Sequence, residues 1–246
     1  MAAQFVALTE KGRRKPTNQD AVAVRDLGYG WTVLVVADGV GGQRGGETAS
    51  QEAVQSIVSD LVYLGVPDPA GSLRRAVTVA NRRVRDLAAD QQQLAGMATT
   101  VVIALVKGKK AWIASVGDSR AYLCDGVTSR VLTEDDSWVA EQLRAGQITA
   151  EEAAVSPYQN VITKGIGVED GLTVERIVEA CVGGGEALLL CSDGLYRTMP
   201  PDAFSIAATA DDLDRAAQEL VDRANAAGGP DNISVIVFRM GDGSAG

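Results

Sequence analysis

Residues 33–42 read VLVVADGVGG, an apolar run that ends abruptly in an acidic residue and a glycine. Residues 188–194 repeat this design as LLLCSDG. Short apolar runs bounded by turn residues are typical of buried strands. Asp38 and Asp193 would then each be held rigidly at the end of a strand. The two runs predict a sheet-based core with carboxylates at its strand ends.

Strand patterns come in two batches, and helical patterns form separate blocks between them. Strands are predicted at residues 4–9, 21–25, 31–37, 100–106, 111–116, 120–124, 127–132, 172–181, 187–191 and 233–238, and helices at 47–64, 73–87, 138–145, 150–154 and 211–226. Elements segregated in this way favour an α+β fold with antiparallel sheets over a doubly wound one. Residues 100–132 are predicted to form a consecutive antiparallel meander.

The length and composition predict one domain that covers residues 1–246, with a frayed tail at 241–246. The chain has 246 residues, of which 46% are hydrophobic, so it can bury a full core by itself. It contains no apolar stretch of about 20 residues and no signal-like start, so we expect no membrane association. Its three scattered cysteines indicate a reducing cytoplasm.

The charge balance and the absence of histidine limit the possible chemistry. With 23 basic and 32 acidic residues the net charge is −9, which disfavours binding to nucleic acid. The chain has no histidine, so it cannot form a Ser-His-Asp triad or a histidine-bound zinc site. A bound metal would be held mainly by oxygen, which favours Mg²⁺ or Mn²⁺.

Three further acids occupy positions like those of Asp38 and Asp193. Asp118 falls in a turn between two strands, Asp231 precedes a buried strand, and Asp20 begins a strand. A single Asp-Gly is most often only a hairpin turn. Several carboxylates at strand ends, however, would repel one another unless cations compensate. A pair of divalent ions could supply that compensation.

A basic cluster at residues 11–15, KGRRK, precedes Asp20. Such a cluster is usually a solvated surface, and recognition of phosphate is the less common outcome. Beside a metal site, arginine could grip phosphate oxygens with two hydrogen bonds.

Cys191 and Arg197 have the Cys-x5-Arg spacing of a cysteine phosphatase. Asp193 would then lie inside the phosphate loop and repel both the thiolate and the phosphate. This hypothesis is therefore disfavoured, and Arg197 is interpreted as a helix-surface residue or a substrate contact.

Eight segments in order resemble the metal-dependent, protein phosphatase 2C-like Ser/Thr phosphatases, most closely the compact bacterial members. These segments are TNQDAV, VVADGVGG, GMATTVVIAL, ASVGDSRAYL, LTEDDSWV, NVITKGIG, LLLCSDGLY and GGPDNISVIV. The resemblance covers nearly the whole chain. It implies a four-layer α-β-β-α sandwich, with two antiparallel sheets flanked by helix pairs.

The resemblance also implies a set of metal ligands. Two Mg²⁺ or Mn²⁺ ions would share a bridging water, with Asp38 between them and the Gly39 carbonyl as a further ligand. Asp193 and Asp231 would complete one ion, Asp20 would orient metal-bound water, and Asp118 with Asp193 would hold a third, weaker ion. The implied reaction is hydrolysis of phosphoserine and phosphothreonine in proteins by the bridging hydroxide, without a phosphoenzyme.

The sequence departs from the family pattern where phosphate is bound and where relatives carry histidine. Lys15 stands at the position of the phosphate-gripping arginine, so either Lys15 or the adjacent Arg14 binds phosphate. Relatives carry histidine at the positions of Val40, Asp136 and Ser156, so the leaving oxygen is expected to take its proton from metal-bound water.

Substrate selectivity is expected in a flap at residues 145–166. The expected partners are phosphoproteins, including a Ser/Thr kinase, and the protein is expected to be a monomer. A phosphatase-like module that binds phosphoproteins without turnover is the non-enzymatic alternative.

Overall fold

The computed structural model describes residues 3–40 and 42–241, and for residues 42–44 it describes the backbone alone. The predicted frayed tail thus lies, from residue 242 onward, outside the described residues. The strands are β1 (Ala3–Glu10), β2 (Asp20–Gly28), β3 (Trp31–Val40), β4 (Ala98–Thr99), β5 (Val101–Lys107), β6 (Lys110–Val116), β7 (Arg120–Cys124), β8 (Ser129–Val131), β9 (Val178–Cys181), β10 (Ala187–Cys191) and β11 (Ile233–Met240). The α-helices are α1 (Gly42–Leu64), α2 (Pro69–Asp90), α3 (Trp138–Arg144), α4 (Ala150–Ala154), α5 (Asp193–Tyr196), α6 (Ile206–Thr209) and α7 (Leu213–Ala226).

The strands form two sheets whose neighbouring strands are all antiparallel. One sheet has the order β1-β11-β10-β7-β8, and the other has the order β2-β3-β5-β6-β9, with β4 paired to β3. The predicted α+β sandwich of two antiparallel sheets is confirmed.

Strand β3 contributes side chains to two layers of the core, one on each face of its sheet. Val33, Val35 and Ala37 belong to the cluster packed under α1 and α2, whereas Leu34 and Val36 belong to the cluster between the sheets. Side chains alternate across a strand, so a strand buried on both faces reads as a continuous apolar run. The run before Asp38 is therefore a central strand.

Helices cover both outer faces of the sandwich. The long helices α1 and α2 pack on the sheet that contains β3. The opposite face is covered by α7 together with the short helices α5 and α6, so its cover is less regular than the predicted helix pair. Helix α2 begins before the predicted residue 73 because Asp68 accepts a hydrogen bond from the Gly71 amide and Pro69 fits the first turn.

Two predictions of local structure were wrong. The predicted meander divides between the sheets, because β5 and β6 lie in one sheet and β7 and β8 in the other. The chain crosses between sheets at residues 117–119, which places Asp118 at the crossover. The strand predicted at 172–181 is confined to Val178–Cys181, because Leu172 and Val174 pack into the helix-covered core outside any strand.

The packing between the sheets predicts the effect of a core truncation. Leu190 is fully buried between the sheets, so Leu190→Ala should lower the free energy of unfolding by about 2–5 kcal/mol. Leu64→Ala removes the same atoms from a side chain that is 52% exposed and should cost only a fraction of that. Urea unfolding of both variants measures the difference, and equal losses would contradict the assigned packing.

Candidate active site

Four of the predicted metal acids line one pocket of about 360 Å³ at the ends of the strands. These acids are Asp38, Asp118, Asp193 and Asp231. Asp20 is buried beside them, since β2 and β3 pair Asp20 directly with Asp38. The structure thus brings together acids that are as much as 211 positions apart in the sequence (231 − 20 = 211).

Asp20 is held from the opposite sheet. Its Oδ2 accepts hydrogen bonds from Ser192 Oγ at 2.8 Å and from Ser234 Oγ at 2.6 Å. Its Oδ1 is buried and has no hydrogen-bond partner in the protein. Burial raises the pKa of Asp20 to about 6, although both serines act to lower it. One oxygen of Asp20 is therefore fixed, and the other is free to bind water.

The backbone around Asp38 is fixed by two threonines. Its amide donates to Thr100 Oγ1 at 3.2 Å, and its carbonyl accepts from Thr99 Oγ1 at 2.8 Å. Gly39 is required next to it, because a Cβ there would lie 2.2 Å from the carbonyl oxygen of Gly46. Thr99 and Thr100 thus directly support the site.

Asp118 and Asp193 share a basic partner. Arg197 Nη2 lies 2.9 Å from Asp118 Oδ2, and Arg197 Nε lies 3.0 Å from Asp193 Oδ2. Arg197 also donates to the Gln159 carbonyl at 2.9 Å and to Asn160 Oδ1. The interpretation of Arg197 as a helix-surface residue was wrong, because its guanidinium lies among the acids.

The remaining acid, Asp231, is paired with Lys15 across the pocket. The distance from Lys15 Nζ to Asp231 Oδ1 is 2.7 Å, and Lys15 lines the pocket. Burial lowers the pKa of Lys15, but the hydrogen bond to Asp231 and the charge of Asp231 together raise it by more. The pKa of Lys15 is therefore above its ordinary value. Arg14 is exposed and does not line this pocket, so the position of Lys15 suits phosphate binding better than that of Arg14.

Asn232 joins the loops that carry these groups. Its Oδ1 accepts from the Gln19 amide at 2.9 Å, and its Nδ2 donates to the carbonyls of Lys11 at 2.8 Å and Thr17 at 2.9 Å. The backbone carbonyl of Asn232 lies close to the turn after Asp193. A Cβ added to Gly194 in that turn would lie 1.9 Å from the carbonyl oxygen. The glycine after Asp193 is therefore required by packing.

The acids of the pocket carry more negative charge than the neighbouring basic residues can balance. Burial, followed by the charges of Asp20 and Asp193, raises the pKa of Asp38 well above its ordinary value. Burial, followed by the charge of Asp118, raises the pKa of Asp193 to about 7, although Arg197 opposes this shift. Lys15 and Arg197 only partly balance the cluster, so it can ionise fully at neutral pH only with further cations.

The donor set fits hard divalent ions. Four carboxylates line the pocket, and Oδ1 of Asp193, like that of Asp20, is buried without a hydrogen-bond partner. Within residues 3–40 and 42–241, no three Asp, Glu, His or Cys side chains already surround a point that could hold an ion. Three of the acids are instead ion-paired, Asp231 with Lys15 and both Asp118 and Asp193 with Arg197, so backbone or water oxygens would have to complete each ligand shell.

The cysteine-phosphatase alternative is not supported. Cys191 is fully buried in the core cluster on the helix side of its sheet, and burial raises the pKa of its thiol. The next residue, Ser192, points the other way and contacts Asp20. The two side chains thus lie on opposite faces of the sheet, and Cys191 lies away from the pocket.

Sequence reasoning missed several residues that support the site. These are Ser192, Ser234, Asn232 and Asn160, and for Arg197, which was singled out, the contacts with the acids were not predicted. Ser192 and Asn232 adjoin metal acids in the sequence, which was the available signal for them. Ser234 and Asn160 act through partners distant in sequence, which one sequence cannot reveal, whereas Arg197 contacts both the distant Asp118 and Asp193, one helical turn before it.

An antiparallel α-β-β-α sandwich with a carboxylate-rich pocket at its strand ends is the architecture that the resemblance implied. A family model described as Protein phosphatase 2C matches residues 9–236. The serine/threonine phosphatase stp of Listeria welshimeri is 35% identical over 235 residues, which is 93% of this chain and 92% of that protein. The chain therefore belongs to the protein phosphatase 2C family and is a Ser/Thr protein phosphatase of that type.

Solved structures agree with this assignment. The serine/threonine phosphatase of S. agalactiae has a TM-score of 0.89 and 31% identity, covering 98% of this chain and 100% of that one. The catalytic domain of the phosphatase PstP, in complex with two manganese ions, has a TM-score of 0.85 and 27% identity, covering 98% of this chain and 99% of that one.

The raised carboxyl pKa values predict how the metal-free protein responds to pH. In the folded state Asp20 and Asp193 have pKa values of about 6 and 7, above the unfolded value of about 3.9. Between these values the folded state binds more protons than the unfolded state, so stability falls as pH rises. The Tm in EDTA should fall by several degrees from pH 5.5 to 7.5, at roughly 2–4 °C per kcal/mol.

The matched variants for this measurement are Asp38→Asn and Asp170→Asn. On folding without metal, Asp38 must either ionise among the other acids or take up a proton, and Asp38→Asn avoids both costs, so its metal-free Tm at pH 7.5 should exceed that of the wild type. Asp170 is 95% exposed, so Asp170→Asn should change nothing. A metal-free Tm that stays level or rises over this range would contradict the electrostatic account.

Proposed function

We propose that this phosphatase hydrolyses phosphoserine and phosphothreonine in proteins with two to three Mn²⁺ or Mg²⁺ ions. Asp38, the Gly39 carbonyl, Asp193 and Asp231 would hold the main pair of ions, and Asp118 with Asp193 would hold the third. The observation that carries this proposal is the convergence of four acids in one pocket, where burial and mutual repulsion favour divalent cations. The two manganese ions of the related PstP structure support it.

The chemistry at this site would be direct hydrolysis. Divalent ions held by these acids would activate water for in-line attack on phosphorus and would offset the charge of the phosphate. Asp20 is suited to orient that water, because two serines fix its Oδ2 while its Oδ1 has no protein partner. Thr99 and Thr100 hold the backbone that carries the Asp38 side chain.

Lys15 is proposed as the phosphate-binding cation. Its ammonium group lines the pocket beside Asp231, so a phosphate dianion in the pocket would lie close to it. Lysine acts as a point charge and lacks the planar fork of arginine, so Lys15 would contribute affinity more than orientation. Since the chain has no histidine, water in the pocket would protonate the leaving serine or threonine oxygen.

The wider assignments are also proposals. We infer one catalytic domain over residues 1–246, a monomer, a cytoplasmic location and a Ser/Thr kinase among the phosphoprotein partners. Within the part of the chain that the structure describes, no helix is long and apolar enough to span a membrane. Phosphoproteins would approach past the flap, residues 145–166, where Val155 and Tyr158 are exposed.

Turnover of a phosphothreonine peptide tests the proposed reaction. Activity should be lost in EDTA, return with Mn²⁺ and resist alkylation of accessible thiols. Asp38→Asn should lower kcat by more than the roughly 10–100-fold that loss of an outer metal partner costs. If the folded protein with Mn²⁺ hydrolyses neither this peptide nor p-nitrophenyl phosphate, the non-enzymatic phosphoprotein-binding hypothesis replaces the proposal.

A matched pair of variants tests which basic residue binds phosphate. Lys15→Gln should raise KM for p-nitrophenyl phosphate by about tenfold or more at saturating Mn²⁺, since a charge-assisted hydrogen bond is lost. Arg14→Gln should leave KM close to that of the wild type, because Arg14 lies outside the pocket lining. The reverse pattern would assign phosphate binding to Arg14.

A further inference from the structure

Arg197 connects two of the proposed metal ligands to the flap. Its Nε and Nη2 contact Oδ2 of Asp193 at 3.0 Å and Oδ2 of Asp118 at 2.9 Å. Its Nη2 also donates to the Gln159 carbonyl at 2.9 Å, and its Nη1 donates to Asn160 Oδ1. A single guanidinium, with a side chain only 24% exposed, therefore bridges the acid pair and residues 159–160.

The contacts of Arg197 are confined to one side of the acid cluster. Oδ2 of Asp193 contacts Arg197, while the buried Oδ1 of Asp193 has no hydrogen-bond partner. An ion bound at Oδ1 would therefore not compete with Arg197 for that oxygen. A divalent ion bound to Oδ2 of both acids would come within a few ångströms of the guanidinium, and the two cations would repel. Arg197 therefore competes with an ion at the Asp118–Asp193 pair.

The flap is joined to the rest of the protein in two different ways. Its later part is joined through the backbone, with the Trp138 amide donating to the Val161 carbonyl at 2.9 Å and the Ile166 amide donating to the Thr99 carbonyl at 2.8 Å. Residues 159–160 reach the acidic floor of the pocket through the side chain of Arg197. Asn160 itself lines the pocket, so this connection fixes part of the pocket wall.

We propose that Arg197 is a positioning residue that couples ion binding at the Asp118–Asp193 pair to the position of flap residues 159–160. Arg197 holds these residues against the acids, and a divalent ion at the pair displaces the guanidinium and releases them. This inference rests on the proposed divalent ions. Coupling between two sites is reciprocal, so removal of the Arg197 contact must also strengthen ion binding at the pair.

Calorimetric titration with Mn²⁺ tests the competition. Arg197→Met should bind the weaker ion at least about tenfold more tightly than the wild type, since a charged hydrogen-bonding competitor is gone. Arg197→Lys keeps the charge and should stay closer to the wild type. Arg223→Met is the control, because Arg223 pairs with Glu219 on the exposed face of α7 and should leave all ion affinities unchanged.

Hydrogen exchange of backbone amides in residues 158–162 tests the link to the flap. In EDTA, exchange should be faster in Arg197→Met than in the wild type. In the wild type, exchange should rise only at Mn²⁺ concentrations that fill the weaker site. A merely structural role for Arg197 would speed exchange without changing the affinity for the weaker ion.

The outcomes separate this inference from the proposed function. Absence of Mn²⁺ binding and turnover in the wild type would overturn both. Binding of the main ions with turnover, but with equal affinity for the weaker ion in wild type and folded Arg197→Met, would overturn the inference alone. If Arg197→Met does not fold, Asp118→Asn decides, because persistence of the Mn²⁺-induced rise in flap exchange in that variant would overturn the coupling.

Discussion

Electrostatic repulsion among Asp20, Asp38, Asp118, Asp193 and Asp231 is the constraint on which the rest of the site depends. The sandwich places each acid where a strand begins, ends or crosses between sheets, so the backbone cannot move them apart. Burial raises the pKa of Asp38 and Asp193 because ionised carboxyls lose water and face one another. The fold therefore stores an unfavourable interaction that divalent cations would relieve.

The surrounding residues make this arrangement specific. Ser192 and Ser234 reach from the opposite sheet to fix one oxygen of Asp20, and Thr100 fixes the backbone of Asp38. Asn232 ties together the loops around Asp231. These contacts hold the acids in position, while Lys15 and Arg197 offset only part of their charge.

The sequence predicted what depends on local pattern. A continuous apolar run identified the central strand before Asp38, and turn residues at the ends of predicted strands identified acids of the pocket. The sequence did not predict features that depend on contacts between distant segments. The split of β5–β6 from β7–β8 depends on which sheet accepts each hairpin, and the place of Arg197 depends on Asp118, 79 positions earlier (197 − 118 = 79). The choice between Arg14 and Lys15 as the phosphate-binding residue also depends on the path of the loop at residues 11–19.

Whether the acid cluster binds divalent cations is tested by a crystal structure of the protein grown with Mn²⁺, with anomalous scattering measured at the manganese edge. We expect two strong anomalous peaks in the pocket, with Asp38 contacting both and with Asp193 and Asp231 beside one of them. The absence of peaks among these acids, or manganese bound only outside the pocket, would contradict it.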